Sequence, residues 1–342
     1  MSGADGAAPD DSLLSPATVV PYLVARGVVR EGATAELLGG GVSNVVLAIQ
    51  DGDRRVVLKQ SRERLAVAEE WLAPRERIVR EAQGLRVARE LTPAVVPEVL
   101  DLDTDDMTMT IAGAPRGWVD WKAELMAGRV DESVGAVLGD ALGAWQEGTR
   151  GGARLPQDLC DDTATFISLR VDPYHRTAAR RNPEVRDAVD AVVQRMADTR
   201  EVLVHGDLSP KNVLVGPLEA GGPNSAWVLD LEVAHLGDPL FDPAFLLTHL
   251  HLKGVHRPAG TAALRRTASA FAAAYTARTG PVDAPALGAH VGALLLARVD
   301  GKSPAEYLDA AARDLTRRTA IDLLTTPVTS TGDLWDRLWR TS

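Results

Sequence analysis

The run Val202-Leu203-Val204-His205-Gly206-Asp207-Leu208-Ser209-Pro210-Lys211-Asn212-Val213-Leu214-Val215 sets a polar loop between two apolar, β-like stretches. Asp207 and Asn212 are its informative pair. Phosphoryl transfer needs a carboxylate beside the attacking hydroxyl. It also needs a metal ligand that adds no negative charge next to the phosphates. An H-x-D-x-x-x-x-N loop supplies both. Downstream, Trp227-Val228-Leu229-Asp230-Leu231-Glu232 ends a third apolar run with two carboxylates one residue apart. On an extended chain that spacing puts both on one side, which suits a hard cation seeking oxygen ligands. A D-x-E taken alone more often marks a solvated strand end, and it gains weight only from the loop before it.

The elements that must hold these residues can be read from periodicity. Ser15 and Pro16 predict the start of a short helix running toward Gly27. The stretches 36–38, 44–49 and 56–59 predict strands, with a glycine turn after the first and a tight turn at Asp51-Gly52-Asp53. Ile78, Ala82, Leu85 and Ala88 fall at helical spacing in 75–90, and 95–100 and 107–111 predict two further strands. After the loop 113–117 the chain turns mainly helical, at 118–128, 132–148, 183–198 and 262–278, with a β insert around 202–233. The expected organisation is a tail over 1–12, a first lobe over 13–113 and a second over 114–342.

Composition narrows the function class. The 342 residues are 45% hydrophobic and 25% charged, enough to bury the cores of two lobes. A net charge of -10 repels a polyanion, so nucleic acid is not an expected partner. The single cysteine, Cys160, excludes an internal disulfide and a thiolate cluster and agrees with a reducing compartment. No apolar stretch is long enough for a membrane span, and no basic-then-apolar leader opens the chain, so a cytoplasmic protein is expected.

The segments His205 to Asn212 and Asp230 to Glu232 resemble the catalytic and metal motifs of the aminoglycoside phosphotransferase and choline kinase superfamily, and the resemblance covers roughly 36–310. It implies an α+β, bilobal protein-kinase-like fold with a small β-sheet lobe carrying one long helix and a larger helical lobe. It implies ATP and magnesium (Mg2+) as cofactors, Asp207 as catalytic base, and Asn212 and Asp230 as metal ligands with Glu232 assisting. Gly39-Gly40-Gly41-Val42-Ser43-Asn44 resembles the family's nucleotide loop, with Gly40, Gly41, Ser43 and Asn44 at the phosphates. Lys59 resembles its phosphate-binding lysine, Glu81 the helix glutamate that pairs with it, and Asp242 a residue that orients the catalytic loop. The physics agrees, since a glycine-rich turn lets backbone N–H groups approach phosphates and a lysine adds a point charge.

Departures from the pattern sharpen the substrate class. Gly206 stands where protein kinases carry arginine, Asp230-Leu231-Glu232 replaces their Asp-Phe-Gly, and no Ala-Pro-Glu segment follows, all of which argue against a protein substrate. The glycine loop, Lys59-Gln60 and Arg298 to Tyr307 look closer to methylthioribose kinase-like and antibiotic phosphotransferases than to choline kinases. Trp145-Gln146 stands where many relatives have leucine and histidine. The C-terminus has no carboxylate cluster for a polycation, and Trp118 and Trp121 offer flat surfaces, although tryptophans are more often core. The expected acceptor is therefore a small neutral or weakly charged sugar- or nucleoside-like alcohol, for instance an antibiotic that the transfer inactivates. The rivals are a metabolic sugar kinase, such as one acting on methylthioribose, and a catalytically inactive nucleotide-binding protein. Lys59, Asp207, Asn212 and Asp230 occurring together favour an enzyme. His205 is expected to bond backbone in its loop, and His235, His249, His251 and His256 to pack, since their spacing fits no compact ligand set.

Overall fold

A computed structural model describes residues 13–38, 44–62, 74–161, 163–216 and 226–340. The chain divides into two compact units, the first holding residues up to 82 together with 99–114, the second holding 83–98 and the chain from 115 onward.

In the first unit, α1 (Val19–Ala25) accompanies an antiparallel sheet of β1 (Thr34–Leu37), β2 (Asn44–Asp51), β3 (Arg54–Ser61), β4 (Val99–Asp103) and β5 (Thr108–Ala112), in the order β1-β2-β3-β5-β4. Strand side chains alternate between faces. Val45, Leu47 and Ile49 of β2 therefore join Val56 and Leu58 of β3 in one apolar cluster with Val19 and Leu23 of α1. The same alternation turns Lys59, paired with Val46 across the ladder, to the opposite face. There the start of α2 (Arg77–Leu91) brings buried Ile78, Glu81 and Ala82, while the helix from Gln83 onward belongs to the second unit.

Two boundaries differ from the sequence expectation. Ser15 does not cap a helix, because its backbone N–H bonds the Thr18 hydroxyl and Thr18 N–H bonds its carbonyl, closing a turn that delays α1 to Val19. The strand expected over 95–100 begins at Val99, because a turn closed by Val95 N–H to Thr92 occupies its start and Pro97 cannot donate to a ladder.

The second unit is mainly helical. Its first helices are α3 (Trp121–Met126), α4 (Ser133–Gly148), α5 (Gln157–Asp161) and α6 (Ala164–Phe166). A π-helical stretch, Ile167–Arg176, then leads into α7 (Thr177–Arg181) and α8 (Arg186–Asp198). After the β insert come α9 (Phe241–His256), α10 (Thr261–Thr279), α11 (Ala284–Asp300), α12 (Ala310–Thr325) and α13 (Thr331–Leu338). The insert pairs β7 (Val202–Val204) with β10 (His235–Gly237), and β8 (Val213–Val215) between β6 (Val119–Asp120) and β9 (Ala226–Val228).

The helix expected from Trp118 starts at Trp121, because Val119 and Asp120 pair with β8 and the Asp120 carboxylate accepts from Ala123 N–H at 2.7 Å as a cap. Helices α4 and α10 approach so closely that a Cβ on Gly135 or Gly139 would overlap the carbonyl oxygens of Thr267 and Phe271. Apolar and buried almost all round, α9 and α11 form the interior of this unit.

Candidate active site

In the first unit, Lys59 Nζ lies 2.5 Å from Glu81 Oε1, with Lys59 8% exposed and Glu81 fully buried. A carboxylate on an otherwise apolar helix stripe has its explanation here, since a buried lysine needs a partner of opposite charge. Asn44, the first residue of β2, is buried, and its Oδ1 has no hydrogen-bond partner among the described residues. Gly40, Gly41 and Ser43 lie outside the described residues.

In the second unit, β7 delivers the catalytic-type loop and β8 carries the chain away. Gly206 has φ of +80°, and a Cβ there would strike Val233, which explains glycine before Asp207. The Asp242 carboxylate, in the first turn of α9, accepts from the backbone N–H groups of His205 at 2.6 Å and Gly206 at 2.9 Å. Asp207 N–H donates to His205 Nδ1 at 3.1 Å, so the ring carries its proton on Nε2, which lies 3.0 Å from the Leu229 carbonyl. With both nitrogens engaged, His205 ties the loop to the segment before Asp230 and is not the base. The role expected for it is the one observed.

Asp207 is almost fully buried, and its Oδ2 sits 2.8 Å from Arg170 Nη2 and 2.8 Å from Lys211 Nζ. Burial alone would raise its carboxyl; the Arg170 guanidinium and the Lys211 ammonium outweigh it and hold the group well below the usual carboxylate range. Asp242 shows the opposite balance. Burial pushes its carboxyl up, because N–H dipoles and His205 are its only compensation. One carboxylate thus stays ionised for chemistry, while the other serves as a structural acceptor.

Asn212 donates from Nδ2 to the Asp207 carbonyl at 3.0 Å, and its own carbonyl accepts from Leu229 N–H at 2.9 Å. These bonds place Asp207, Asn212 and Asp230 on one framework, with the Asn212 amide oxygen free of that bond. The extended geometry expected of Asp230-Leu231-Glu232 is not observed. Strand β9 ends at Val228, and Asp230 adopts φ of +70°, a left-handed conformation uncommon outside glycine. The two carboxylates do share an electrostatic partner: Asp207, Glu232 and Asp230 all act on buried Arg170.

Among the described residues no three His, Cys, Asp or Glu side chains form a metal cage. The Asn212 amide oxygen and the Asp230 carboxylate are oxygen donors of the kind magnesium accepts, since it binds through one or two protein oxygens and completes its shell with phosphates and water.

Arg170 and Lys211 escaped the sequence reading. Arg170 lies on the π-helical stretch, where Thr177 N–H reaches back to the Asp172 carbonyl, and it also bonds the Gly206 carbonyl through Nε at 2.8 Å. A lone arginine in the apolar run Phe166 to Val171 was the available signal. The tryptophans follow the ordinary pattern, with Trp121 buried and Trp118 against Trp227 at 5.3 Å. Gln146 bridges the Pro239 carbonyl and the Tyr275 hydroxyl. His235 packs on Phe166, His249 on Phe245, His251 on Trp339 and His256 on Tyr307.

The sequence profile of the phosphotransferase enzyme family (APH) matches residues 34–284, a span that includes every candidate site residue. The chain belongs to this family. It is an enzyme of the small-molecule kinase and phosphotransferase type. No curated protein sequence matches it significantly. Among solved structures, a microcompartment-associated aminopropanol kinase superimposes with a TM-score of 0.57 at 16% identity, covering 95% of this chain and 99% of the other. A choline/ethanolamine kinase family protein from Mesorhizobium loti gives 0.53 at 17% identity, over 95% of this chain and 99% of the other. An amicoumacin kinase in complex with AMP-PNP and Ca2+ gives 0.51 at 14% identity, over 90% of this chain and 94% of the other. At such identities the likeness establishes the fold, and this phosphotransferase has the α+β kinase-like one.

Proposed function

We propose that the protein transfers the γ-phosphoryl group of ATP to a hydroxyl of a small molecule, with Asp207 at the acceptor and Lys59 at the phosphates. The observation that carries this reading is the buried Asp207 carboxylate, paired with Arg170 and Lys211 and locked by Asn212 and His205 to the segment holding Asp230. In this reading the first unit handles nucleotide and the second holds the acceptor. Asn212 and Asp230 would hold magnesium, with Glu232 assisting, and the metal would supply neutralisation of phosphate charge. Similarity to an amicoumacin kinase solved with AMP-PNP and Ca2+ supports a nucleotide with a divalent cation.

The chemistry assigned to the protein's own groups is simple. Lys59, fixed by Glu81, grips the phosphates. Asp207 orients the acceptor hydroxyl and takes its proton as the new P–O bond forms and the bond to ADP breaks. Held so far below the usual carboxylate range, Asp207 is a weak base in the ground state, which suits a loose transition state in which the hydroxyl loses its proton late. Inactivation of an antibiotic is one role for such a transfer in the cytoplasm, and a metabolic phosphorylation is the other. A screen with γ-labelled ATP, magnesium and a broad panel of alcohols tests the reading. Mass detection of a phosphorylated product supports it, and nucleotide binding without turnover on any alcohol contradicts it.

A further inference from the structure

Lys253 on α9 is 2% exposed, and its ammonium has no hydrogen bond or ion pair among the described residues; the Tyr307 ring, centred 5.4 Å away, is its close neighbour. The Tyr307 hydroxyl is itself buried without a partner. Arg298 on α11 donates from Nη1 to the Ser303 carbonyl and to the Tyr174 and Ser303 hydroxyls, while its Nε is buried with no acceptor among the described residues. Three unsatisfied donors, two of them cationic, thus come from separate elements.

Arg298 connects to Asp207 through Tyr174. The Arg298 guanidinium lies 5.7 Å from the centre of that ring, the Arg170 guanidinium 5.8 Å from it, and Arg170 pairs with Asp207. His249 lies within electrostatic reach of Arg298, Lys253, Asp207 and Lys211. The acidic group acting on Lys253 is Asp120, which is exposed and occupied in capping α3. Burial, reinforced by Lys122 and Arg298, brings the Lys253 ammonium down to about 7. A buried ammonium without a counter-ion, as at Lys253, is costly, and an arriving anion beside it and the half-buried Arg298 would offset that cost.

We propose that the acceptor carries an oxyanion, a carboxylate or a phosphate, which Lys253 and Arg298 bind while its hydroxyl meets Asp207. This rests on the O-phosphotransferase reading above and replaces the neutral alcohol that the sequence suggests.

The test compares matched compounds as acceptors by label transfer and as ligands by calorimetry: glycerate and glycerol phosphate against glycerol, and glucuronate against glucose. In the wild type each anionic compound should exceed its neutral partner by at least about tenfold in kcat/KM and in affinity. The carboxylate and phosphate arms show which oxyanion is meant. K253M should narrow those ratios to a few-fold at most and should melt above the wild type, because an apolar chain of similar volume relieves the buried charge. Equal or reversed preference, or a ratio that K253M leaves intact, overturns the inference. Transfer to the neutral members would then leave the phosphotransferase reading standing. If ATP is never turned over, that reading fails, and the calorimetric comparison still decides this one.

Discussion

The two units treat a buried carboxylate in different ways. In the first, buried Glu81 pairs with the Lys59 ammonium between helix and sheet. In the second, Asp207 meets both Arg170 and Lys211, and Asp230 and Glu232 act on the same arginine. A matched pair fixes a lysine in place, as a phosphate grip requires. A carboxylate touched by two cations stays ionised, as a hydroxyl-orienting group requires. The contrast predicts that damage to the first unit appears in nucleotide affinity and damage to the second in turnover.

The largest expected effect is that of D207N, which should lower kcat by ~10²–10⁴-fold while nucleotide affinity changes no more than a few-fold. Calorimetry and steady-state rates on the same preparation check both halves. D230A should cost on the order of 10²–10³-fold in magnesium-dependent turnover and flatten the magnesium dependence of nucleotide binding. Normal metal-dependent rates in D230A would remove it from the metal site. K59A should weaken nucleotide binding by roughly 10–100-fold, the range for one lost charged hydrogen bond. A kcat loss in K59A as deep as that of D207N, with affinity intact, would break the contrast between the units.

The smallest effect at neutral pH belongs to R170M, and its signature is a pH profile. Arg170 helps hold the Asp207 carboxyl below its ordinary range, so removing it lets that value rise. The acidic fall in kcat should then move upward by about 1–3 pH units. The stability that ionised Asp207 contributes is present above the ordinary carboxyl range and lost as pH falls below it. R170M should shrink that contribution, which acid titration of the melting temperature would show. An unmoved acidic limb would mean that Lys211 alone sets the carboxyl.

The loop from His205 to Asn212 was legible as a candidate because its polar groups lie within eight consecutive residues, where spacing and side-chain chemistry coincide. Lys59 and Glu81 were legible through the family resemblance alone, and strand alternation with the burial of both side chains explains why they meet. Asp230 was legible in identity and not in conformation, because a left-handed φ on a non-glycine residue leaves no local pattern. Arg170 and Arg298 were hidden for another reason. Each reaches its site across tens of residues, one from a π-helical stretch and one from α11, and only tertiary packing reveals which charges they face.

Single-turnover transfer from γ-labelled ATP tests the central claim most directly, with wild type and D207N loaded with the same nucleotide and offered the same panel of small alcohols. The account predicts labelled small-molecule product from the wild type, and from D207N full nucleotide occupancy with product formation slower by two orders of magnitude or more. Labelled product appearing in D207N within a few-fold of the wild-type rate would contradict it.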